Sequence, residues 1–297
     1  MTKKQKDLLK NFMLKQLQGI GKNVSTNYRK NQAARTRNPF LCFSNNIDKF
    51  MGLGRSIDSQ LGSRMQNITF YLCRVRYGFS CVPNLIVINT NEATSEVEIK
   101  LFYTEGDLLL ENFYANKNPC QQKIYFNQKL SDEKVKGIIG TKKNVNIISN
   151  RTLTFSVEAE LINAIKTVGV AEWPVDLIFI DEANDELVIN TFEIKMSGYI
   201  DTKNSESNAN EVQRLFDAFK CSGTNASYFA VCYGECADAV KSKMRIYAPQ
   251  GKILTAVQFW NAVLPNTGPD ALNYVEFIEI YKQAFEDSKL EQTIKDL

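Results

Sequence analysis

A chain of 297 residues without a single histidine must do any chemistry with carboxylates, lysine, tyrosine or thiols. That removes Ser-His-Asp and Cys-His triads, nucleases with a histidine base, and His-ligated zinc. With 44% hydrophobic and 23% charged residues and a net charge of +3, it reads as a globular protein whose overall charge neither demands nor excludes a polyanion.

The distribution of charge says more than its sum. Lys and Arg are in excess over the first 76 residues and the last thirty are acidic, an asymmetry that suits one face on nucleic acid and equally a solvated basic start. No window is long and apolar enough to span a membrane, and the lysine-rich start lacks the apolar core of an export signal. Seven cysteines without a CxxC pair point to reduced thiols, and hence to the cytoplasm.

Residues 2–18 have the spacing of an amphipathic helix, with Leu8, Leu9, Phe12, Met13 and Leu17 on one side. A polar loop or arm is expected over 19–50, carrying Arg29, Lys30, Arg35 and Arg37 ahead of Pro39. Ser56 reads as the N-cap of a helix whose stripe is Ile57, Leu61, Met65, Ile68, Leu72 and Val75, closed by Gly78. Arg64 falls beside that stripe, where its guanidinium needs a carboxylate, a phosphate or solvent; with Gln60 it is a candidate DNA contact. The segments NLIVINT, EVEIKLFY and KIYFNQK predict strands. Lys142 and Lys143 follow Gly140 in a turn, where they suit a phosphate or plain solvation.

A helix is expected over 155–168, with Glu158 and then Glu160 flanking its apolar stripe. Two hairpin strands follow, about 174–180 and 187–195, then a polar loop from Tyr199 to Asn210 and a helix from Glu211 to Lys220. SYFAVCY (227–233) reads as a buried strand, 235–243 as a helix, 255–264 as a short helix ended by Pro265, and the C-terminus as a long helix with Tyr274, Phe277, Ile278, Tyr281 and Phe285 along one face. Trp173 and Trp260 read as core. The expected division is an N-terminal helical region (1–83), a β-rich insertion (84–150), a catalytic core (151–265) and a C-terminal helix packing on that core (266–297).

The chemistry concentrates in Pro174-Val175-Asp176 and Phe192-Glu193-Ile194-Lys195. Glu193 and Lys195 point to one face of a strand by alternation, and a closed hairpin brings Asp176 toward Glu193. Two carboxylates beside an ammonium can hold Mg²⁺ and cut a phosphodiester. Glu-x-Lys on a strand is also a common ion pair, so a plain exposed salt bridge competes with this reading.

Residues 156–233, in the order helix, Asp strand, Glu-x-Lys strand, helix, strand, resemble the core of the PD-(D/E)xK nucleases. The resemblance implies a restriction-endonuclease-like α/β (α+β) fold, a mixed central sheet flanked by helices. It implies Asp176 and Glu193 as metal-binding acids, the Ile194 carbonyl as a third ligand, Lys195 as the catalytic lysine and Glu158 as an additional acid. That family normally has a strand between the helix and the Asp strand, for which only 169–173 is free. The RSIDSQLGSRMQ helix followed by RVRYG is similar to the TdeIII group of type II restriction endonucleases, and the short helix containing Phe259-Trp260 resembles one found in restriction enzymes. This implies a homodimer on double-stranded DNA, a GGNCC-like site, Mg²⁺ with Mn²⁺ as a substitute, and a paired DNA methyltransferase. Lys203, Asn204 and Asn208, after the catalytic strand, are candidates for reading DNA. A repair, junction-resolving or mobile-element nuclease, or a DNA-binding protein without catalysis, would use the same core.

Overall fold

The computed structural model describes residues 1–35, 45–105, 122–139, 147–168, 172–182, 186–200, 202–266 and 271–297; the side chains of 27–35, 45–52, 55, 105, 147, 167, 168, 202 and 203 fall outside that description. In chain order the elements are α1 (Lys3–Arg35), α2 (Asn45–Tyr77), β1 (Leu85–Asn91), β2 (Glu96–Glu105), β3 (Gln122–Phe126), α3 (Asp132–Ile139), β4 (Ile147–Ser156), α4 (Ala159–Val168) and β5 (Glu172–Val175). They continue with β6 (Leu177–Asp181), β7 (Val188–Gly198), α5 (Thr202–Ala218), β8 (Asn225–Cys236), α6 (Asp238–Tyr247), β9 (Lys252–Leu254), α7 (Ala256–Val263), α8 (Tyr274–Ser288) and α9 (Leu290–Lys295). This is a mixed α/β chain with two mixed sheets. Among the described residues no helix is long and apolar enough to cross a membrane.

The contacts divide the chain into two units, Met1–Ile68 with Thr267–Leu297, and Thr69–Asn266. The first is helical. Helix α1 lies against α8 and α9, sealed by the ion pairs Lys6–Glu276 (2.8 Å) and Lys10–Asp287 (2.7 Å). The C-terminal segment expected to pack on the catalytic core therefore groups with α1. Helix α1 also runs through residues 19–35, expected as a loop. Ile20 and Val24 are fully buried and continue the stripe of Leu9, Phe12, Met13 and Leu17. Gly21 lies where a β-carbon would come within 3.3 Å of Thr293, so here glycine serves close helix packing. Helix α2 begins at Asn45, so Ser56 is an interior residue and not its cap. On α8 the buried positions are Phe277, Ile280, Ala284 and Ser288, while Ile278 and Phe285 of the expected face are partly exposed.

The second unit holds both segments expected as separate, 84–150 and 151–265. One sheet has the order β4-β2-β1-β3-β5 and the other β6-β7-β8-β9. Strand β4, over residues 147–156, pairs along its whole length with β2, which moves the start of the helix expected at 155 to Ala159. Strand β5 pairs antiparallel with β3 and closes the edge of the first sheet. Pro174 is tolerated there because an edge strand needs no outward amide hydrogen. Residues 172–175 are thus the strand preceding Asp176, and that strand belongs to the other sheet.

In the second sheet β6 runs antiparallel to β7, and β8 and β9 follow in parallel register. Parallel neighbours need crossover helices, which α5 and α6 supply. Ala209 and Val212 of α5, with Val240 and Met244 of α6, pack on Phe229 and Val231 of β8. The opposite face is aromatic: Phe179 stacks on Phe192 (5.4 Å between centroids) and Phe192 on Tyr228 (4.7 Å), with Phe259 of α7 alongside.

The polar stretch expected as a loop up to Asn210 is helical from Thr202. Ser205 and Ala209 are fully buried small residues that extend the Val212–Leu215–Phe219 stripe backwards, and nothing between them breaks a helix.

A buried polar side chain bonds across the two sheets. Gln122, fully buried on β3, donates to the carbonyls of Pro83 (2.6 Å) and Ile178 (2.8 Å) and accepts from the Ile178 amide (2.6 Å). It fixes β6 two residues after Asp176. Gln122→Leu, similar in size, strips partners from three buried backbone groups and is expected to destabilise the fold by roughly 2–4 kcal/mol. Denaturant unfolding checks this; an unchanged midpoint would show that the junction does not depend on it.

Candidate functional site

Asp176 occupies the bend where the chain leaves one sheet and enters the other. The β6–β7 register ends at Leu177↔Phe192, so the next residue back, Asp176, stands beside Glu193 and Ile194. Its Oδ2 accepts the Ile194 amide at 2.7 Å, taking the place of the strand partner that β5 carried away to the other sheet. A strand residue directs both backbone groups toward the same neighbour, so the Ile194 carbonyl leaves β7 on the side of Asp176.

Glu193 and Lys195 share the opposite rotation of the strand. In parallel register with Phe229 and Val231, they face the side of the sheet that α5 covers. Lys195 Nζ lies 2.6 Å from Glu193 Oε1, with side-chain exposures of 33% and 13%. The hairpin expected to bring Asp176, Glu193 and Lys195 together does so; residues 183–185 in its turn lie outside the described residues.

The electrostatics follow from this crowding. Burial pushes the Asp176 carboxyl up to about 7, and the neighbouring Glu193 charge adds to it; the Lys195 ammonium and the Ile194 N–H pull the other way. Burial works against the Lys195 ammonium, but Glu193, Asp176 and Glu211 outweigh it and hold Lys195 above its ordinary range. Lys195 is therefore a fixed positive charge at neutral pH, suited to stabilising anions rather than to accepting a proton.

Glu211, on α5, is the acid that the sequence reading missed as a site residue. Its charge acts on Asp176 and Lys195, and burial raises its own carboxyl above the usual range against the pull of Trp173, Arg214 and Lys195. One oxygen accepts the Trp173 indole N–H, and the other meets Arg214 at 3.3 Å. No motif marks it. The signal was periodicity: a helix starting at Thr202 and packing on the sheet puts Glu211 in its middle, over the face that carries Glu193 and Lys195.

The remaining candidates lie elsewhere. Glu158, with Glu160, Ser95, Ser156 and Lys220, lines an open cleft of about 800 Å³ that none of Asp176, Glu193 and Lys195 lines. It precedes α4 as an exposed residue and is not brought to the motif. Gln60 accepts from Asn23 (3.0 Å), and Arg64 lies over Gly19 of α1 and donates to Gln16 (3.3 Å), so both are engaged with α1. Arg64 meets an amide there and makes no ion pair among the described residues. Asn204 and Asn208 sit on α5, exposed and half-buried; Lys203 is on α5 with its side chain outside the description, and Lys142 and Lys143 lie outside the described residues. Trp173 and Trp260 are buried as expected, and the five cysteines among the described residues are buried free thiols.

Among the described residues no group of three or more Asp, Glu, Cys or His is arranged to hold a metal ion. The pair Asp176 and Glu193 with the Ile194 carbonyl is an all-oxygen donor set. That is enough for Mg²⁺, which binds through one or two carboxylates and completes its shell with water and substrate phosphate. The fit is electrostatic: two half-buried carboxylates share one ammonium, and a divalent cation would relieve the excess.

No protein-family model matches the chain, and no curated protein or solved structure matches it either.

A carboxyl raised in the folded state stabilises the fold fully below its unfolded value, near 3.8, and that stability is lost as pH rises through about 7. Metal-free protein is therefore expected to lose thermal stability between pH 5 and pH 8. Asp176→Asn flattens that part of the profile and exceeds the parent at pH 8 by roughly 1 kcal/mol, about 2–4 °C in Tm. Calorimetry over this range checks it; parallel profiles for the two proteins would rule out a buried, repelled carboxylate.

Proposed function

We propose that this protein is a Mg²⁺-dependent endodeoxyribonuclease that hydrolyses phosphodiester bonds in double-stranded DNA. The observation that carries the reading is the packing of Asp176 against the Glu193–Ile194 segment, with the Lys195 ammonium on Glu193. The match of Asp176, Glu193 and Lys195 to the PD-(D/E)xK pattern supports the same conclusion from sequence.

Asp176, Glu193 and the Ile194 carbonyl would hold the metal. When bound, Mg²⁺ supplies a Lewis acid that acidifies a water and draws off the charge developing on the phosphoryl oxygens. The protein's own part is orientation and electrostatics. The Ile194 N–H fixes one oxygen of Asp176, so that carboxylate needs no reorganisation when substrate arrives. Glu193 holds Lys195 at hydrogen-bond distance and keeps it protonated. A permanent ammonium two residues along the same strand face stabilises a pentavalent phosphate and orients a water, but removes no proton itself. The proton of the attacking water leaves to solvent or to a substrate phosphate oxygen. Glu211 adds negative charge behind this pair and restrains Lys195 from the α5 side.

The finer reading is a type II restriction endonuclease: a homodimer with one site per strand, a GGNCC-like target and a partner methyltransferase. It rests on the similarity of residues 54–78 to the TdeIII group and of the Phe259-Trp260 helix to restriction enzymes. Symmetric double-strand cleavage calls for two copies of the site.

Plasmid DNA incubated with the protein and Mg²⁺ is expected to give discrete fragments, and chelation to abolish them. Asp176→Ala and Lys195→Ala are each expected to lower the rate by about 10²–10⁴-fold, whereas Glu158→Gln leaves it unchanged. Cleavage confined to branched or damaged DNA would replace restriction by repair or junction resolution. Cleavage indifferent to Asp176→Ala and Lys195→Ala would move the site elsewhere.

A further inference from the structure

Trp173, Glu211 and Arg214 form a built cluster at the margin of the site, and the steps above use only the acid. Glu211 and Arg214 are one turn apart on α5 and share a face. The Arg214 guanidinium carbon stands 4.7 Å from the centroid of the Trp173 ring, which is itself buried at 4% exposure. The indole N–H is tied to Glu211, so the ring cannot turn away from the guanidinium. Trp173 is also locked by β5, whose register with β3 pairs it with Ile124.

A guanidinium has five N–H donors in a planar fork. Arg214 gives one of them to Glu211, at 3.3 Å, which is the long end of the hydrogen-bond range, and its side chain is 41% exposed. An arginine stacked on an aromatic ring keeps its charge and loses little further freedom when it binds a phosphate, which it engages through two parallel bonds. The position matters as much as the chemistry. Glu211, which touches Arg214, is close enough to Lys195 and Asp176 for their charges to act on one another.

Building on the nuclease reading, we propose that Arg214, stacked on Trp173, is a phosphate clamp that binds the DNA backbone beside the scissile phosphate. The contact exchanges the long bond to Glu211 for a bidentate one to a phosphate, leaving Glu211 on the indole N–H. It positions the strand and reads no sequence. Arg214 is accordingly a positioning residue: its share is made in the ground state as well as the transition state.

The test is a salt titration of binding to a short fluorescein-labelled duplex, with Ca²⁺ replacing Mg²⁺, alongside Mg²⁺-dependent plasmid cleavage. Each phosphate contact contributes about 0.9 to the slope of log K against log salt concentration. Arg214→Gln is expected to make the slope shallower by about 1 and to weaken binding by about tenfold at low salt, equally for duplexes of different sequence. In cleavage it raises KM and leaves kcat nearly unchanged. Arg214→Lys retains the charge without the stack, and is expected to keep the slope while binding several-fold more weakly than the parent. Thermal melting of each variant separates a lost contact from a lost fold, which Arg214→Lys, with its stem intact, is chosen to preserve. A parent-like slope for Arg214→Gln in a protein that still cleaves would overturn the clamp and leave the nuclease reading standing. A parent protein that neither binds duplex nor cleaves would remove that reading and the clamp with it.

Discussion

Asp176 and Glu193 repel one another, and the fold holds them together regardless. Asp176 stands at a bend between two sheets with Glu193 on the neighbouring strand, and the carboxylate pair shares one ammonium. Burial raises the energy of the Asp176 carboxylate, and the Glu193 charge beside it raises it further. A fold under no functional demand would relieve this with one neutral side chain. Keeping the pair leaves a place where a divalent cation is worth more than it would be in water.

The topology does this by changing sheets at the site. Had β5 and β6 been one continuous strand, the Ile194 amide would have paired with Val175 and Asp176 would have pointed away from β7. Instead Val175 is committed to Gln122, and Leu177 opens a new strand against Phe192. The Asp176 side chain takes up the vacated amide. The same step positions Trp173, which ties β5 to Glu211 on α5. Positive and negative groups then alternate across the site, from Asp176 and Glu193 through Lys195 and Glu211 to Arg214. Alternation of this kind keeps the net charge of a crowded pocket small while leaving the outer cation, Arg214, accessible. Lys195 stays protonated because acids lie on several sides of it, and in the proposed reaction it contributes charge rather than a base.

The sequence disclosed β1, β2, β3, β6, β7 and β8 and the three motif residues because both depend on local pattern. Alternation in NLIVINT and EVEIKLFY marks β1 and β2, and an acid ahead of LIFI followed by FEIK marks the β6–β7 hairpin. Features that depend on partners were less legible. Helix α1 continues past Leu17 because Ile20 and Val24 find a neighbour, whereas its polar positions resemble those of a loop. Helix α5 begins at Thr202 because Ser205 and Ala209 are buried, and small side chains leave no hydrophobic signal. The end of strand β4, at Phe155 and Ser156, falls inside the helix that the stripe of Val157, Leu161 and Ile165 predicts. Glu158 was favoured by its place before the Asp strand, but placement in the chain said nothing of the cleft it faces. Glu211 reaches the site only through the crossover that stacks α5 on the sheet, which no local pattern encodes.

The central claim, that Asp176 and Glu193 form a divalent-cation site, is tested most directly by calorimetric titration of the chain with Mn²⁺ at pH 8. Millimolar or tighter binding is expected, with proton release that grows as pH falls toward 7 because the cation displaces a proton from the raised Asp176 carboxyl. Asp176→Asn abolishes this binding, and Glu158→Gln preserves it. Mn²⁺ binding that survives Asp176→Asn, or none in the parent protein even with duplex DNA present, would contradict the account.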